Sequence, residues 1–102
     1  MLTYTLAQTG AGSSSPAPLN IHGRPEVSLQ VTVSGTVNYT VQQTLDDPGS
    51  SPTWFDHPDT NLVAATANKQ GNYAYIPRAV KLVVNSGSGT ATLKIIQAGI
   101  TG

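Results

Sequence analysis

The stretch that decides the fold is residues 26–43, which read Glu-Val-Ser-Leu-Gln-Val-Thr-Val-Ser-Gly-Thr-Val-Asn-Tyr-Thr-Val-Gln-Gln. Apolar and polar residues alternate from 26 to 34, and the alternation resumes after Gly35 and continues to Gln42. A period of two is the pattern of a β-strand that buries one face. The interruption at Ser34-Gly35 predicts a tight turn, so we expect these two strands to form an antiparallel hairpin at the centre of a sheet.

The same pattern extends outward in both directions. Apolar residues alternate with polar ones from Leu2 to Leu6, which predicts a short strand. A run rich in β-branched residues at 79–85, a Gly/Ser turn at 86–89 and a further alternation at 91–95 predict a second hairpin. About seven or eight short strands, with turns about every ten residues, are typical of an antiparallel β-sandwich or jelly roll. A small β-barrel is the alternative all-β fold.

The length of the chain, 102 residues, is enough for one domain. Between Gln8 and Pro18 the sequence contains two glycines, three consecutive serines and two prolines, which predict a flexible connection or arm. We therefore divide the chain into an N-terminal strand and arm at 1–18 and a β-sandwich domain at 19–102. The strongest break within that domain is 46–52, Asp-Asp-Pro-Gly-Ser-Ser-Pro.

Charge is scarce and balanced in this chain. Five basic and five acidic residues give a formal net charge of zero, and charged residues make up 10% of the sequence. Such a chain has no electrostatic field for gathering nucleic acid or an anionic membrane, so we predict neither as a partner. A neutral surface rich in Thr, Ser, Asn and Gln favours association between subunits. With no cysteine, stability depends on packing and strand pairing.

The N-terminus has neither a basic region nor a continuous apolar run, and no segment approaches a membrane span. We therefore expect a protein made in the cytoplasm without a signal peptide.

Candidate chemistry is concentrated in one loop, where an acidic and histidine-bearing cluster spans fourteen positions. Its members are Asp46, Asp47, Asp56, His57 and Asp59. Calcium accepts oxygen ligands from such loops, but Asp beside Pro or Gly is ordinary turn chemistry and no calcium-loop spacing is present. His57 lacks a nucleophile elbow or oxyanion arrangement. We therefore predict no metal, no cofactor and no enzymatic activity.

Aromatic residues form the second candidate site. Trp54, Phe55, Tyr73 and Tyr75 are the types that stack on sugars or nucleic-acid bases, but the same residues also fill cores. We expect Trp54 to bury its indole and anchor the Pro-rich loop against the sandwich, with Phe55 nearby.

Three stretches resemble small virion proteins of tailed bacteriophages, a group that includes head decoration or cement proteins. They are 41–47 (Val-Gln-Gln-Thr-Leu-Asp-Asp), 51–58 (Ser-Pro-Thr-Trp-Phe-Asp-His-Pro) and 71–82 (Gly-Asn-Tyr-Ala-Tyr-Ile-Pro-Arg-Ala-Val-Lys-Leu), and the closing strand pair continues the similarity. The resemblance covers roughly the last two-thirds of the chain. It implies a sandwich or jelly-roll protein that binds the outer surface of the phage head between major capsid proteins and stabilises the shell.

The resemblance also implies a location on the virion, homo-oligomers that are often trimers, and no catalytic residues. A tail, connector or head-fibre component and a carbohydrate-binding β-sandwich module are the alternatives. Nothing in the resemblance assigns contact positions, so the candidate partner interface combines the N-terminal strand with the aromatic loop and its neighbours. These residues are Leu2, Tyr4, Leu6, Trp54, Phe55, His57, Tyr73, Tyr75 and Arg78.

Overall fold

The computed structural model describes residues 2–19, 27–73 and 76–97, with only the backbone at Leu2. These residues form nine β-strands and one short 3₁₀ helix, Thr60–Leu62. The strands are β1 (Leu2–Thr9), β2 (Gly12–Ser13), β3 (Ala17–Pro18), β4 (Val27–Ser34), β5 (Val37–Thr44), β6 (Phe55–Asp56), β7 (Lys69–Tyr73), β8 (Ala79–Gly87) and β9 (Thr90–Gln97). The predicted all-β class is therefore confirmed.

The strands form two antiparallel sheets. Sheet A has the order β1-β9-β4-β7, and sheet B has the order β2-β8-β5-β6, with β3 also pairing with β8. Four of the strand pairs share nearly the same midpoint in the sequence, namely β1·β9, β2·β8, β4·β7 and β5·β6. Leu2 pairs with Gln97 and Gln42 pairs with Asp56, and the midpoint of each pair lies within about one residue of Gly49. The chain thus pairs as one long hairpin whose tip is the predicted break at 46–52. Rolling that hairpin up brings β9 beside β4 and β8 beside β5, which is the arrangement of a jelly roll.

The two predicted hairpins are wrong. β4 and β5 lie in opposite sheets, as do β8 and β9, so each predicted turn carries the chain across the sandwich. β4 pairs with β9 from Val27 to Ser34, and β5 pairs with β8 from Val37 to Thr44. Alternation specifies which face of a strand is buried but not which strand lies beside it, so either arrangement satisfies the pattern.

The two crossings pack against each other at one end of the sandwich. The amide of Gly89 donates to the carbonyl of Thr36 at 3.0 Å. Gly35 (φ +82°) and Gly87 (φ +102°) have left-handed backbone conformations, and a Cβ on Gly87 or Gly89 would overlap the backbone of the other crossing. Glycine is required here because the two crossings pass at backbone distance.

The core lies between the sheets. It takes alternate residues from the four central strands, all of them at most 4% exposed. They are Val27, Leu29 and Val31 of β4, Val37, Tyr39 and Val41 of β5, Val80, Leu82 and Val84 of β8, and Ala91, Leu93 and Ile95 of β9. The Tyr39 hydroxyl donates to the carbonyl of Ala67 at 2.6 Å, and burial raises the pKa of Tyr39 to about 12.

The described part of residues 1–18 belongs to both sheets. β1 lies at one edge of sheet A, and β2 and β3 lie beside β8 in sheet B. Ala17 and Leu19 are buried in the core, and the Leu19 amide donates to the carbonyl of Arg78 at 3.0 Å. The segment expected to be a flexible connection is thus paired to the sandwich at two places.

Candidate interaction surface

The outer end of the β5–β6 pair exposes two large apolar side chains. Leu45 follows β5 and is 67% exposed, and Phe55 of β6 is 63% exposed. The register places Phe55 opposite Gln43, two residues before Leu45, so the two side chains lie at the same end of this strand pair. Large apolar groups left in water are candidates for contact with a partner.

Trp54 lies next to this pair, but it is not the buried anchor that the sequence predicts. The residue is half-buried, and the Lys81 ammonium lies over its ring, 4.5 Å from the centroid. Lys81 lies opposite Gln42 in the β5–β8 pairing, and the Gln42 amide donates to the Asp56 carboxylate at 2.9 Å. The indole therefore packs on the outer face of sheet B, where one of its faces is covered by a cation.

Arg78 completes this region. Its backbone amide donates to the carbonyl of Thr44 at 2.8 Å, which places Arg78 beside the residue that precedes Leu45. Arg78 itself is exposed. We call the set of Leu45, Trp54, Phe55 and Arg78 the β6 patch. It groups three predicted interface residues at one end of the β5–β6 pair, with Trp54 on the outer face of sheet B and Phe55 on the side of its partner Gln43, and Leu45 is an addition.

His57 lies inside the protein, where it joins the two sheets at one side of the sandwich. It is 4% exposed, and its ring lies 4.5 Å from the ring of Tyr73, which is also 4% exposed. Nδ1 accepts from the Asp59 amide at 2.9 Å, so the proton resides on Nε2, which donates to the Asn72 carbonyl at 3.0 Å. Burial lowers the pKa of His57, which keeps the ring neutral.

A buried glutamine extends this polar contact. The Tyr73 hydroxyl donates to the Gln43 side-chain oxygen at 3.0 Å, and the Gln43 amide group donates to the Asp56 carbonyl at 3.1 Å. Every buried side-chain nitrogen and oxygen in the described residues has a hydrogen-bond partner. We therefore remove His57 and Tyr73 from the candidate interface, because their polar atoms hold the loop to the sheets and their rings do not reach solvent.

The acidic residues of the loop hold turns together. Asp46 accepts from the Thr53 amide at 2.9 Å, Asp47 from the Gly49 amide at 3.0 Å, and Asp59 from the Asn61 amide at 3.0 Å. In the described part of the chain, no three His, Cys, Asp or Glu side chains come together as a metal site would require. These carboxylates thus act as turn residues.

The N-terminal candidates lie on the opposite side of the sandwich from the β6 patch. Tyr4 and Leu6 of β1 are half-buried and pack against the core from the edge of sheet A. The side chain of Leu2 and all of Tyr75 lie outside the described residues. The structure therefore separates the predicted interface residues into an edge strand, a surface patch and an interior pair.

The outer face of sheet A holds a shallow concavity of about 280 Å³ between β4 and β7. Gln30, Gln70 and Asn72 contribute amide side chains to its lining, and the register places Gln30 of β4 between Gln70 of β7 and Lys94 of β9. The described lining contains no aromatic ring, and Tyr73 points to the other face of the sheet. The aromatic platform of a sugar-binding module is therefore not formed at this concavity.

Leu45 is the surface residue that the sequence reasoning missed. It continues the odd-numbered series of Val37, Tyr39, Val41 and Gln43, all of which are buried. Beyond Thr44 the chain leaves the sheet, so the next odd position lies in solvent. An apolar residue one step past the end of an alternating strand was the available signal.

Comparisons with known proteins yield only weak similarity. Scanned against models of protein families, the sequence matches none, and no curated protein is similar to it in sequence. Solved structures with a partly similar arrangement include an IMPa metallopeptidase in complex with T-antigen, at 18% identity and a TM-score of 0.43 over 96% of this chain. A functionally unknown conserved protein from Bacillus anthracis str. Ames is 13% identical, with a TM-score of 0.40 over 99% of this chain.

This chain spans 12% and 22% of the lengths of those two proteins, and the similarity is too low to carry a functional argument. Across the described residues, no helix is long and apolar enough to cross a membrane.

Proposed function

We propose that this chain is a structural virion protein of a tailed bacteriophage that binds the outer surface of the head, contacts major capsid proteins and stabilises the shell. The observation that carries the proposal is the β6 patch, where Leu45 and Phe55 expose most of their apolar surface. Exposure of apolar surface to water is unfavourable, so covering these side chains with a partner lowers the free energy by roughly 25 cal/mol per Å² of apolar surface buried.

The chemistry of the rest of the chain supports a binding role. The loop that suggested metal or acid–base chemistry uses its carboxylates and His57 in hydrogen bonds within the protein. The net charge of zero removes long-range repulsion between many copies packed on one shell. Jelly rolls are frequent in viral capsids, which is an analogy at the level of the fold and is consistent with the sequence resemblance.

The first experiment tests whether the chain is located in the head of the virion. Mass spectrometry of purified virions of the phage that encodes this sequence should find the chain in copy numbers comparable with the major capsid protein. A copy number of tens or fewer would point to the tail, connector or head-fibre alternative. Absence of the chain from virions would reject the proposal.

A binding assay addresses the β6 patch directly. Heads lacking the chain are mixed with the purified protein and sedimented, and the bound fraction is compared among variants. The double variant Leu45→Ser/Phe55→Ser should lose most binding and keep its thermal stability, because both side chains are exposed. The matched control Ile96→Ser changes a half-buried apolar residue on the outer face of sheet A and should bind like the wild type. Equal binding by all three proteins would exclude the β6 patch as the contact surface.

A further inference from the structure

The free edge of sheet A is formed by β1, an eight-residue strand. Its pairing with β9 runs without a register shift from Leu2 to Thr9. On its other side the described residues place no strand, and Thr3, Thr5, Ala7 and Thr9 are all exposed.

The register identifies which backbone groups of β1 are free. The Gly10 amide donates to the Gly89 carbonyl at 3.1 Å, one residue beyond the Thr9–Thr90 pair. Hydrogen-bonded and non-hydrogen-bonded pairs alternate along an antiparallel ladder, so the even-numbered residues of β1 bond to β9. The N–H and C=O groups of the odd-numbered residues therefore point away from the sheet. They belong to Thr3, Thr5 and Ala7, and to Thr9, whose carbonyl accepts from the Gln8 side chain at 3.4 Å.

Other edges of the sandwich carry features that oppose strand addition, whereas β1 does not. The edge beside β8 is interrupted between β2 and β3 and contains Pro18. β6 is two residues long, and β7 begins with Lys69 and has its Asn72 carbonyl bonded by His57. β1 has the sequence Leu-Thr-Tyr-Thr-Leu-Ala-Gln-Thr, with no charge, no proline and no glycine. An edge that is long, regular and uncharged is a template for another strand.

We propose that β1 pairs with β1 of a second copy of this chain, antiparallel, about a two-fold axis at Thr5. The two copies of sheet A then form one continuous eight-stranded sheet. Residues on one face stay on that face, because an axis at a residue pairs odd positions with odd positions. Thr5 lies opposite the Thr5 of the second copy, and Tyr4 lies opposite its Leu6.

Several features identify a second copy as the occupant. In this register the outward-pointing backbone groups of Thr5 bond to those of Thr5 in the second copy, and those of Thr3 bond to those of its Ala7, so each hydrogen-bonded pair is complete. Threonine pairs and aromatic–aliphatic pairs across strands are stabilising, and a two-fold axis would place any charge at Thr5 against itself. β1 has no charge, and the chain has a net charge of zero. Pairing about a two-fold axis also uses both free edges, so assembly stops at two copies.

Tyr4 and Leu6 gain from the same contact. Both are half-buried because β1 is the last strand of the sheet. A neighbouring strand would cover their remaining exposed surface and extend the core across the axis. The inference goes beyond the head-binding proposal and does not rest on it, since the β6 patch lies on the opposite side and stays exposed in the dimer.

A charge-swap experiment tests the pairing. Wild type and variants are compared by sedimentation equilibrium over a range of concentrations, where the wild type should reach twice the monomer mass of 10.6 kDa. Thr5→Lys and Thr5→Glu should each raise the dimer dissociation constant about tenfold or more, because the axis places like charges opposite each other. An equimolar mixture of the two variants should restore the dimer. The matched control Thr32→Lys lies on β4 in the same outer face and should dimerise like the wild type.

A cysteine probe tests the axis itself. The native chain has no cysteine, so Thr5→Cys introduces a single thiol. Paired positions lie about 5.5 Å apart between Cα atoms, which is within the range of a disulfide, so this variant should cross-link under mild oxidation. Thr9→Cys, on the same strand but four residues from the axis, should not. A wild type that is monomeric or trimeric, or a mixture of charge variants that stays monomeric, would overturn the proposal.

Discussion

The two sides of the sandwich are finished in different ways. At the β6–β7 side, residues 45–68 fold over the gap between the sheets, where Leu62 is fully buried and His57 bonds to Asn72 of β7. At the β1 side, the edge of sheet A is a regular eight-residue strand with exposed threonines. One side is completed by the chain itself, and the other is suited to completion by a neighbour.

The two sides differ in the kinds of contact that their residues make. The 45–68 segment satisfies sheet edges with many unlike contacts, among them the Ala65 bridge to Tyr39, the Leu62 side chain and the His57 ring. Toward its free side, β1 presents repeated backbone groups and the exposed side chains of Thr3, Thr5, Ala7 and Thr9, while Tyr4 and Leu6 pack against the core. A closed edge needs a specific sequence, whereas an open edge needs only regularity and the absence of charge.

Removing the apolar contact of the closed side should have the largest effect. Leu62→Ala leaves a void in the core, so the free energy of unfolding should fall by about 2–5 kcal/mol. Leu45→Ala is the matched control, since Leu45 is 67% exposed, and it should change stability by less than about 0.5 kcal/mol. Urea denaturation with constant slope is the measurement. Equal losses of unfolding free energy in both variants would show that burial of Leu62 does not stabilise the sandwich.

A second substitution tests the contact between the 45–68 segment and β7. A Cβ on Gly71 would lie 2.5 Å from Cδ1 of Leu62, so Gly71→Ala should destabilise by about 1–3 kcal/mol through overpacking. In a Leu62→Ala background the new methyl group enters vacated space, so the loss should shrink or reverse. A double-mutant cycle measures this coupling, and additive losses would contradict the packing described.

Acid should loosen the closed side through His57. Its pKa in the folded protein lies below the ordinary value of 6.5, so the unfolded chain takes up a proton at a pH where the folded chain does not. The free energy of unfolding should therefore be steady above this value and fall as the pH drops from 6.5 through the lowered folded pKa. Denaturation curves from about pH 7.5 to about pH 5.5 should show this fall.

The matched variant for that measurement is His57→Gln, which has no titrating ring. The difference in stability between wild type and variant should narrow with acidification over the same interval. A difference independent of pH would mean that His57 is not held neutral.

The smallest effect is expected on the outer face of sheet B. Lys81→Ala removes the cation over Trp54, which should cost about 0.5–1 kcal/mol and expose more of the indole. Trp54 is the single tryptophan, so its fluorescence emission should shift to longer wavelength. Lys94→Ala, on the outer face of sheet A, serves as the control and should leave the emission unchanged.

Trp54 and His57 show why the candidate surface was only partly predictable. Both lie in a loop whose sequence predicts turns, and nothing in the local pattern states which side chain enters the core. The smaller polar ring is buried because its two nitrogens find backbone partners, and the larger apolar ring is half-buried because Lys81 reaches it from β8. These partners are distant in sequence or depend on the loop path, so periodicity does not reveal them.

Taken by itself, the sequence determined the all-β class, the inward face of each long strand and the position of the central break, because these follow from local alternation and turn chemistry. Only the tertiary structure decided that the chain pairs around Gly49 as one long hairpin and then rolls, so that β4 meets β9 and β5 meets β8. Tight turns at Gly35 and at 88–89 permit either a hairpin or a crossing, and the choice depends on burying both sheets against each other. The favourable free energy of burying the two sheets against each other is a property of the whole sandwich and of no single segment.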